Sequence, residues 1–442
     1  MERFVIEERV PCCLPELYQE QFRLPFEQPK ARQYLGVPVK VVPMFEGYRL
    51  STRVGVFSVE NLDIIEALST QGMRPSECSD DQLDELEQMH ANGMLTDQSC
   101  MRYRPILFDQ GEAYRHLYTP KQCCWFAMSP VCLELDLTSR CNLTCIHCCR
   151  ESSPNTDTTV EMSSQELFML LDQAVDTGVD EISFLGGEPT QHPHLLQLAY
   201  FVRKRGIDKL MLATNALEIH ENWLEPLAIL FTHIQISLHG ASAKTHEAIV
   251  RRKGAFKQVL SNVRKLRSKG ACITLACSVL ESRPQELKRM LELAQDLGVA
   301  EIRFIPLSNQ GRGNHLPPLQ WQDYQKIGEL ISEARSNNNE LLIGSGGFPT
   351  GEQTLPTALY YGCAAGLSKL HLSAKGLATG CSLLENPAFD ARNQMLLKIW
   401  HSDMIRSMRK RVDCNCAYVD RCAGGCLSVL NNQTNRKEKR NG

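Results

Sequence analysis

From about residue 131 the sequence alternates short apolar strands with amphipathic helical stretches, and the pattern repeats six times. A Ser163-x-x-Glu166 capping box opens the first helix. Six β–α units predict a parallel sheet with right-handed crossovers. Because a closed barrel of this kind needs eight units, we expect an open or partial barrel, with its ligand site at the carboxyl ends of the strands. The predicted strands are 131–137, 181–185, 209–215, 233–238, 272–280 and 301–307, and the predicted helices are 165–176, 193–205, 220–230, 256–268, 284–297 and 319–335.

The segments on either side of this α/β region have different patterns. Two strand-like runs, 39–42 and 48–57, precede two helical stretches, 61–68 and 80–94, which predicts a small winged-helix-like domain. After about 340 the alternation stops, and one helix is expected near 392–409 in an irregular, cysteine-rich segment. The predicted divisions are an N-terminal domain at 1–105, a linker at 106–130, the partial barrel at 131–340, the cysteine-rich domain at 341–430 and a flexible tail at 431–442.

Composition and charge exclude several classes of protein. Lys and Arg number 48 against 51 Asp and Glu, and this net charge of −3 gives no support to a nucleic-acid partner. No apolar run reaches the roughly 18 residues of a membrane span, and the first residues carry acids and lack the apolar region of a signal peptide. We therefore expect a cytoplasmic protein. Its 19 cysteines, an odd number in a large chain, favour metal or cluster ligation over a disulfide framework.

Three cysteines follow the first predicted strand with the spacing Cys141-x3-Cys145-x2-Cys148. Three thiolates on one loop can bind three irons of a [4Fe–4S] cluster and leave the fourth iron open to a ligand. The alternative is a zinc knot, but its usual ligands are paired cysteines two residues apart. The spacing predicts a cluster with one open iron.

This motif and its position resemble the radical S-adenosylmethionine (SAM) superfamily, and the resemblance extends over about 131–428. It implies a partial (β/α)6 barrel, in agreement with the six units counted above. It also implies that the amino and carboxylate groups of SAM bind the open iron, and that an electron from the cluster cleaves SAM to methionine and a 5′-deoxyadenosyl radical. The cofactor supplies the difficult chemistry, while the protein orients it and excludes water.

Further positions match the family strand by strand. Gly186-Gly187-Glu188-Pro189, after the second strand, resembles the motif that binds the SAM amino group. Thr214-Asn215 resembles Thr-Asn-Gly with Ala216 in place of Gly, and Ser237-Leu-His239-Gly240 resembles Ser-x-Asp-Gly with His in place of Asp. The alternative for these polar strand ends is loop capping. For Arg251, a position at a solvated helix N-terminus is equally compatible. Cys149 is interpreted as a buried residue that binds no metal. The resemblance implies SAM contacts at His147, Gly186, Gly187, Glu188, Pro189, Thr214, Asn215, Ser237, His239, Arg251 and Ile305.

A second cysteine group resembles the SPASM extension, which carries auxiliary iron–sulfur clusters in peptide-modifying members of the superfamily. Its first half is Cys363-x12-Gly376-x4-Cys381. Its second half departs from the family pattern, because one residue separates Cys414 from Cys416 and no cysteine follows Cys426. The resemblance implies one or two auxiliary [4Fe–4S] clusters, with Asp413, Asp420 or His371 as candidate fourth ligands. A single cluster or a zinc site is the alternative. The implied cysteine ligands are Cys363, Cys381, Cys414, Cys416, Cys422 and Cys426.

The resemblance predicts an enzyme that modifies a ribosomally synthesised peptide by cross-linking, oxidation or excision. The N-terminal domain resembles, in its order of elements only, the modules that bind a leader peptide as an added strand. A flavodoxin- or ferredoxin-type protein is the expected reductant. Two alternatives remain open: an enzyme acting on a porphyrin side chain or on protein Ser or Cys residues, and a non-catalytic iron–sulfur protein. The matches at Glu188 and at Thr214-Asn215 disfavour the non-catalytic protein, because an electron carrier needs no SAM site.

Overall fold

The structure is a computed structural model of the 442-residue chain. It describes residues 126–337, 340–348, 364–384 and 389–409 continuously. Toward the N-terminus it describes 34–35, 40–43, 48–51, 56–59, 63–70, 95–96, 106–107 and 110–117, together with a few single positions. Cys363, Cys414, Cys416, Cys422 and Cys426 lie outside the described residues.

The described strands form three sheets, of which the largest has ten strands. Six consecutive strands, β7 to β12, are neighbours in chain order and are all parallel, as the six β–α units predict. The strands are β1 (Tyr34–Leu35), β2 (Lys40–Pro43), β3 (Tyr48–Ser51), β4 (Val56–Val59), β5 (Leu95–Thr96), β6 (Ile106–Leu107), β7 (Cys132–Asp136), β8 (Glu181–Leu185), β9 (Lys209–Thr214), β10 (His233–Ser237), β11 (Ile273–Val279), β12 (Glu301–Pro306), β13 (Leu342–Gly344), β14 (Lys369–Leu372), β15 (Leu377–Thr379) and β16 (Phe389–Asp390).

Helices connect the parallel strands and cover one face of the sheet. The predicted capping box is present: the Ser163 hydroxyl accepts the Glu166 N–H, and the Glu166 carboxylate accepts the Ser163 N–H. One helix, between β10 and β11, was not predicted and lies before the predicted helix at 256–268. The helices are α1 (Asp63–Thr70), α2 (Ser164–Asp176), α3 (Leu195–Lys204), α4 (Leu224–Leu230), α5 (Ala243–Val250), α6 (Ala255–Ser268), α7 (Pro284–Asp296), α8 (Trp321–Ser336), α9 (Leu396–Trp400) and α10 (Asp403–Arg409).

The core lies between the sheet and these helices. On β7, Leu133 and Leu135 are buried in it, while the alternate residues Cys132, Glu134 and Asp136 point to the opposite face. The first and last strands of this group, β7 and β12, do not pair with each other in the described sheet. The six-stranded part is therefore an open barrel. The predicted partial barrel is confirmed.

The sheet extends beyond the six predicted strands on both sides. β13 pairs in parallel with β12, and β14 pairs in parallel with β7. β15 and β16 then continue from β14 in antiparallel order. The cysteine-rich segment was predicted to be irregular, but part of it therefore belongs to the barrel sheet, where Lys369 and His371 lie beside Cys132 and Glu134 of β7.

The predicted helix near 392–409 is two short helices, α9 and α10. They pack against the segment that leads into β7: the Trp400 indole N–H donates to the Ala127 carbonyl (2.8 Å) and His401 Nε2 lies 2.8 Å from the Met128 carbonyl. The Arg409 guanidinium lies 4.4 Å from the ring centres of both Phe126 and Trp400. These contacts attach the C-terminal helices to the start of the barrel.

The N-terminal part contains a four-stranded sheet in the order β4-β3-β2-β6. The run 48–57 was predicted as one strand, but it covers β3 and the first two residues of β4, and these two strands pair antiparallel. β6 lies in the predicted linker and pairs with β2. The winged-helix interpretation stays a prediction. Among the helices of the described segments, none has the length and apolar character needed to cross a bilayer.

Candidate active site

The loop that follows β7 and the turn that follows β8 lie against each other at the carboxyl end of the sheet. The Gly187 N–H donates to the Thr138 carbonyl (2.7 Å), and the Glu188 N–H donates to the Arg140 carbonyl (2.8 Å). A Cβ atom on Gly187 would lie 2.2 Å from the Arg140 carbonyl oxygen, closer than any real contact. Glycine is therefore required there by the close approach of the two backbones.

The three cysteines of the first motif lie together on this loop. Cys141 is buried in a small apolar cluster with Leu143 and Leu217, and Cys145 packs against that cluster. Burial raises the pKa of Cys141 to about 12, and the neighbouring Cys148 charge also raises it. Burial, followed by the charges of Cys141 and Cys148, raises the pKa of Cys145 to about 12. The three thiols are thus close enough to influence one another.

A buried carboxylate connects the ends of β8 and β9. Glu188 is only 1% exposed, and its Oε1 accepts the Thr190 N–H (3.1 Å) and the hydroxyls of Thr190 (2.8 Å) and Thr214 (2.6 Å). Its Oε2 accepts the Asn215 N–H (2.7 Å). Burial raises the pKa of Glu188, whereas these hydrogen bonds oppose the rise. Since Oε2 has one protein donor, it keeps acceptor capacity for another donor, such as an ammonium group.

Asn215 joins the end of β9 to the cysteine loop. Its side-chain amide donates to Asn142 Oδ1 (2.8 Å) and lies 3.8 Å from Cys141 Sγ. Its Oδ1 accepts the Leu217 N–H (2.9 Å). Ala216 has φ of +50°, the left-handed conformation that favours glycine, which is the residue of the family motif at this position.

Three histidines pack together beside the cysteine loop. The His147 ring meets the His239 ring edge-on (4.4 Å between centres), and His239 stacks on His246 (5.9 Å). His239 Nδ1 accepts the Ser278 N–H (3.1 Å), and His246 Nδ1 accepts the His239 N–H (3.1 Å). Burial lowers the pKa of His147 and of His246 to about 4, and it lowers the pKa of His239 well below its usual value. The three rings are therefore neutral at pH 7.

Other predicted contacts occupy the carboxyl ends of the strands. Ser237 ends β10, and Ile305 is the second-last residue of β12; both are partly exposed. Arg251 was considered at a helix N-terminus, but it is the exposed C-cap of α5, with φ of +57°. The same end of α5 reaches the cysteine loop, because the Ile146 N–H donates to the Ile249 carbonyl (2.9 Å).

Two residues that the sequence did not identify hold the cysteine loop in place. The carboxylate of Glu161 accepts the Ser139 N–H (2.7 Å), the Thr138 hydroxyl (2.9 Å) and the Ser139 hydroxyl. Arg312 donates to the carbonyls of Cys145 and Ser152 (2.8 Å each). No sequence pattern indicates either contact, because the partners of Glu161 and Arg312 are main-chain or hydroxyl groups.

Of the second cysteine group, the described residues include Cys381, just after β15. Its thiol lies 3.5 Å from the Leu383 N–H, and its carbonyl accepts the Thr379 hydroxyl (2.9 Å). Burial raises the pKa of Cys149 to about 12, and the charges of Cys148 and Cys381 also raise it. Cys149 is therefore close enough to both Cys148 and Cys381 to feel their charges.

His371, a candidate cluster ligand, already has protein partners at both ring nitrogens. Its Nε2 lies 3.2 Å from Asp136 Oδ2 and 3.4 Å from the Arg150 guanidinium, and its Nδ1 lies 3.1 Å from the Thr379 hydroxyl. Burial lowers the pKa of His371 to about 3. These contacts disfavour His371 as a metal ligand.

Comparison with known proteins identifies this arrangement. The model of the radical SAM superfamily matches residues 135–294, which include the cysteine loop, Glu188, Asn215 and the histidine cluster. Residues 135–294 form a radical SAM domain. Radical SAM proteins are enzymes that use a [4Fe–4S] cluster together with SAM.

Several relatives resemble the chain beyond this domain. The AdoMet-dependent heme synthase of Methanosarcina barkeri is 24% identical over 67% of this chain and 91% of its own. The subtilosin biosynthesis protein AlbA of Bacillus subtilis, named for an antilisterial bacteriocin, is 26% identical over 80% of each chain. The fold is similar to that of Streptococcus suis SuiB, solved with SAM, at a TM-score of 0.68 and 18% identity over 90% of this chain and 96% of that one.

The residues of the loop fit the cluster and SAM that this domain uses. Its three thiols do not converge on one point, and within the described segments no three Cys, His, Asp or Glu side chains could hold a single metal ion. A cluster makes no such demand, because each thiolate binds a different iron. Two buried polar atoms beside the loop, His147 Nδ1 and Asn142 Nδ2, lack partners among the described residues and could contact a bound polar ligand.

Proposed function

We propose that this protein is a radical SAM enzyme that modifies a ribosomally synthesised peptide. The observation that carries the proposal is the joining of three motifs around one buried group: the cysteine loop, Glu188 and Thr214-Asn215 are connected by direct hydrogen bonds. The peptide substrate is supported by the relatives. One is a bacteriocin biosynthesis protein, another is a mycofactocin maturase, and SuiB has also been solved with its precursor peptide SuiA.

Cys141, Cys145 and Cys148 would hold the catalytic cluster. A [4Fe–4S] cluster bound there supplies the electron that cleaves SAM reductively. Hydrogen bonds hold this loop in position. Its first residues are fixed by Glu161 and by the N–H groups of Gly187 and Glu188, and in its centre the Ile146 N–H donates to the Ile249 carbonyl. Because these bonds come from several elements, the three thiols are preorganised before the cluster binds.

The remaining motif residues would bind SAM. Glu188 Oε2 would accept the SAM ammonium, and the Gly186–Pro189 backbone allows the close approach. Thr214 and Asn215 position that carboxylate by donating to it. His147, Ser237, His239 and Ile305 lie around the same end of the barrel and would contact the adenosyl group, with Arg251 at its exposed rim.

The rest of the chain would bind the substrate and carry electrons. The N-terminal sheet has β4 at one end of its strand order, and a leader peptide would pair with such an edge. The C-terminal segment would be a SPASM-type domain, with Cys381 and the cysteines at 363, 414, 416, 422 and 426 on one or two auxiliary clusters. The enzyme would act in the cytoplasm, with a flavodoxin- or ferredoxin-type reductant.

Anaerobic reconstitution followed by mass spectrometry tests this proposal. The protein is loaded with iron and sulfide, reduced with dithionite and given SAM, with and without peptides encoded by small open reading frames beside the gene. We expect 5′-deoxyadenosine from the wild type and none from Cys141→Ala/Cys145→Ala/Cys148→Ala. The matched control is Cys272→Ala/Cys277→Ala, which removes buried thiols away from the loop and should retain formation.

Each outcome decides between the alternatives. A mass change in a peptide supports the peptide maturase, whereas turnover of an iron porphyrin alone would support the role of the heme synthase relative. A fully iron-loaded wild type that forms no 5′-deoxyadenosine with any peptide or porphyrin would contradict the enzyme proposal and favour the non-catalytic iron–sulfur protein.

A further inference from the structure

Arg312 makes an unusual set of contacts with the cysteine loop. It lies on the short 3₁₀ helix Gly311–His315 that follows β12. Its Nε donates to the Cys145 carbonyl and its Nη2 to the Ser152 carbonyl, both at 2.8 Å. Its main-chain N–H donates to the Cys148 carbonyl at 3.0 Å. One residue thus holds three carbonyls of the loop that carries the predicted cluster ligands.

The glycines on either side of Arg312 permit this close approach. A Cβ atom on Gly311 would lie 2.6 Å from the carbonyl oxygens of both Cys148 and Cys149, and one on Gly313 would lie 3.2 Å from the carbonyl oxygen of His147. Gly311 also has φ of +50°. The segment 311–313 is therefore fitted to the cysteine loop, and the guanidinium is fixed in position relative to the thiols.

The charge of Arg312 acts on the groups that surround it. Its guanidinium donates to neutral carbonyls, so these hydrogen bonds hold the positive charge in place without neutralising it. The guanidinium lies against the main chain of Cys145, through Nε, and of Ser152, through Nη2. A fixed cation is therefore held within the cysteine loop, next to Cys145.

We propose that Arg312 is a positioning residue that also sets the reduction potential of the cluster held by Cys141, Cys145 and Cys148. Reduction adds one electron, and hence one negative charge, to the cluster. A nearby fixed cation stabilises the reduced form and makes the potential less negative, since cluster potentials respond to net charge and to hydrogen bonds around the sulfurs. This inference rests on the proposed function, because it requires the cluster on this loop.

Three variants test the inference in the full-length, reconstituted protein. Arg312→Gln removes the charge and keeps a side-chain amide. Arg312→Lys keeps the charge but loses the planar guanidinium that donates to two carbonyls at once. Arg335→Gln is the matched control, because Arg335 also donates to a main-chain carbonyl, that of Ile343 (2.7 Å), away from the cysteine loop. The readouts are iron per chain, the cluster midpoint potential from an EPR-monitored redox titration, and the rate of 5′-deoxyadenosine formation.

We expect Arg312→Gln to bind wild-type amounts of iron with a more negative midpoint. At a fixed solution potential the ratio of reduced to oxidised cluster should fall about tenfold, which corresponds to about 59 mV for one electron. Deoxyadenosine formation should fall by a similar factor. Arg312→Lys should keep a midpoint near that of the wild type, and Arg335→Gln should change neither readout.

Three outcomes would overturn the inference. The first is a fully loaded Arg312→Gln with a wild-type midpoint. The second applies if Arg312→Gln fails to load iron. In that case Arg312→Lys is the test, and a loaded lysine variant whose midpoint potential differs clearly from that of the wild type would overturn the inference. The third is an EPR signal that changes on addition of SAM, and so belongs to the SAM-binding cluster, yet survives the triple Cys→Ala change; it would contradict the proposed function, because the cluster would then not be on the loop that Arg312 contacts.

Discussion

Glu188 shows how one buried residue can organise a site. Its carboxylate receives four hydrogen bonds from Thr190, Thr214 and Asn215, so the ends of β8 and β9 are fixed relative to each other. Its own N–H reaches the cysteine loop at Arg140. The residue that is proposed to bind SAM is thus also a link between all three motifs.

Replacing Glu188 by Gln should therefore weaken the fold as well as SAM binding. The new amide NH₂ would face donors, leaving buried groups unpaired at a cost of about 1–3 kcal/mol in the free energy of unfolding. Urea denaturation of the iron-free protein measures this change in the free energy of unfolding. Glu286→Gln is the control, because Glu286 accepts one main-chain N–H, from Ala241 (2.8 Å), and one bond from the exposed Arg289 (2.7 Å), and should cost less. Equal stabilities for the two variants would contradict this role of Glu188.

The sequence predicted some site residues and could not predict others, for a physical reason. Cys141, Glu188 and Asn215 belong to motifs with characteristic spacing, and the structure brings them together. Arg312 was missed because its acceptors are main-chain carbonyls, which every residue type presents equally. Such a contact leaves no pattern in the partner sequence, so only the fold reveals it.

Among the secondary-structure elements, the buried strands were the easiest to predict. β8 was predicted with its observed bounds, and β10 and β12 to within one residue, because runs of apolar and β-branched residues mark strands buried on one face. α5 was missed: it has only eight residues, and of these only His246 and Val250 are buried. A helix so short has too few turns to show a helical period.

The end of α5 offers a test of its cap. Arg251 adopts the left-handed conformation there, which costs a side-chain-bearing residue about 1–2 kcal/mol, whereas glycine adopts it readily. Arg251→Gly should therefore raise the melting temperature, with its N–H still donating to the Glu247 carbonyl. SAM affinity measured on the same variant tests the predicted SAM contact separately. Arg252→Gly, at an adjacent exposed position, is the control, and an equal increase in both variants would contradict the explanation by the cap.

At the scale of the whole molecule, buried polar contacts join the C-terminal segment to the barrel. Lys369 on β14 pairs with Glu134 on β7 (2.8 Å), and Asp136 at the end of β7 pairs with Arg150 and His371. The charge of Lys369 lowers the pKa of Glu134 against the opposing effect of burial. Removing one partner of such a pair leaves a buried charge uncompensated, so these contacts make β14 an integral strand of the sheet.

Buried neutral histidines should make the whole molecule sensitive to acid. Burial lowers the pKa of His401 to about 3, whereas an unfolded histidine has its ordinary pKa near 6.5. Below about pH 6.5 the unfolded chain therefore binds a proton that the folded chain does not, and the free energy of unfolding falls as the pH drops toward 3. Each pH unit in this window costs about 1.4 kcal/mol for one such histidine.

His401→Gln should reduce this pH dependence, because glutamine can still donate to the Met128 carbonyl but does not titrate. The measurement is the urea midpoint at pH 7.5 and at pH 5. His315→Gln, at an exposed position, should leave the dependence unchanged. If the urea midpoint of His401→Gln changed between pH 7.5 and pH 5 as much as that of the wild type, the result would contradict the assignment of this pH dependence to His401.

The pairing of β7 with β14 also has a consequence for biosynthesis. More than 200 residues separate the two strands, so a ribosome must finish the whole barrel before β7 acquires its second neighbour. Until then β7 presents an unpaired edge, which can add strands from other nascent chains. Slow translation at low temperature, with chaperones present, should therefore favour recovery of the folded enzyme over aggregation.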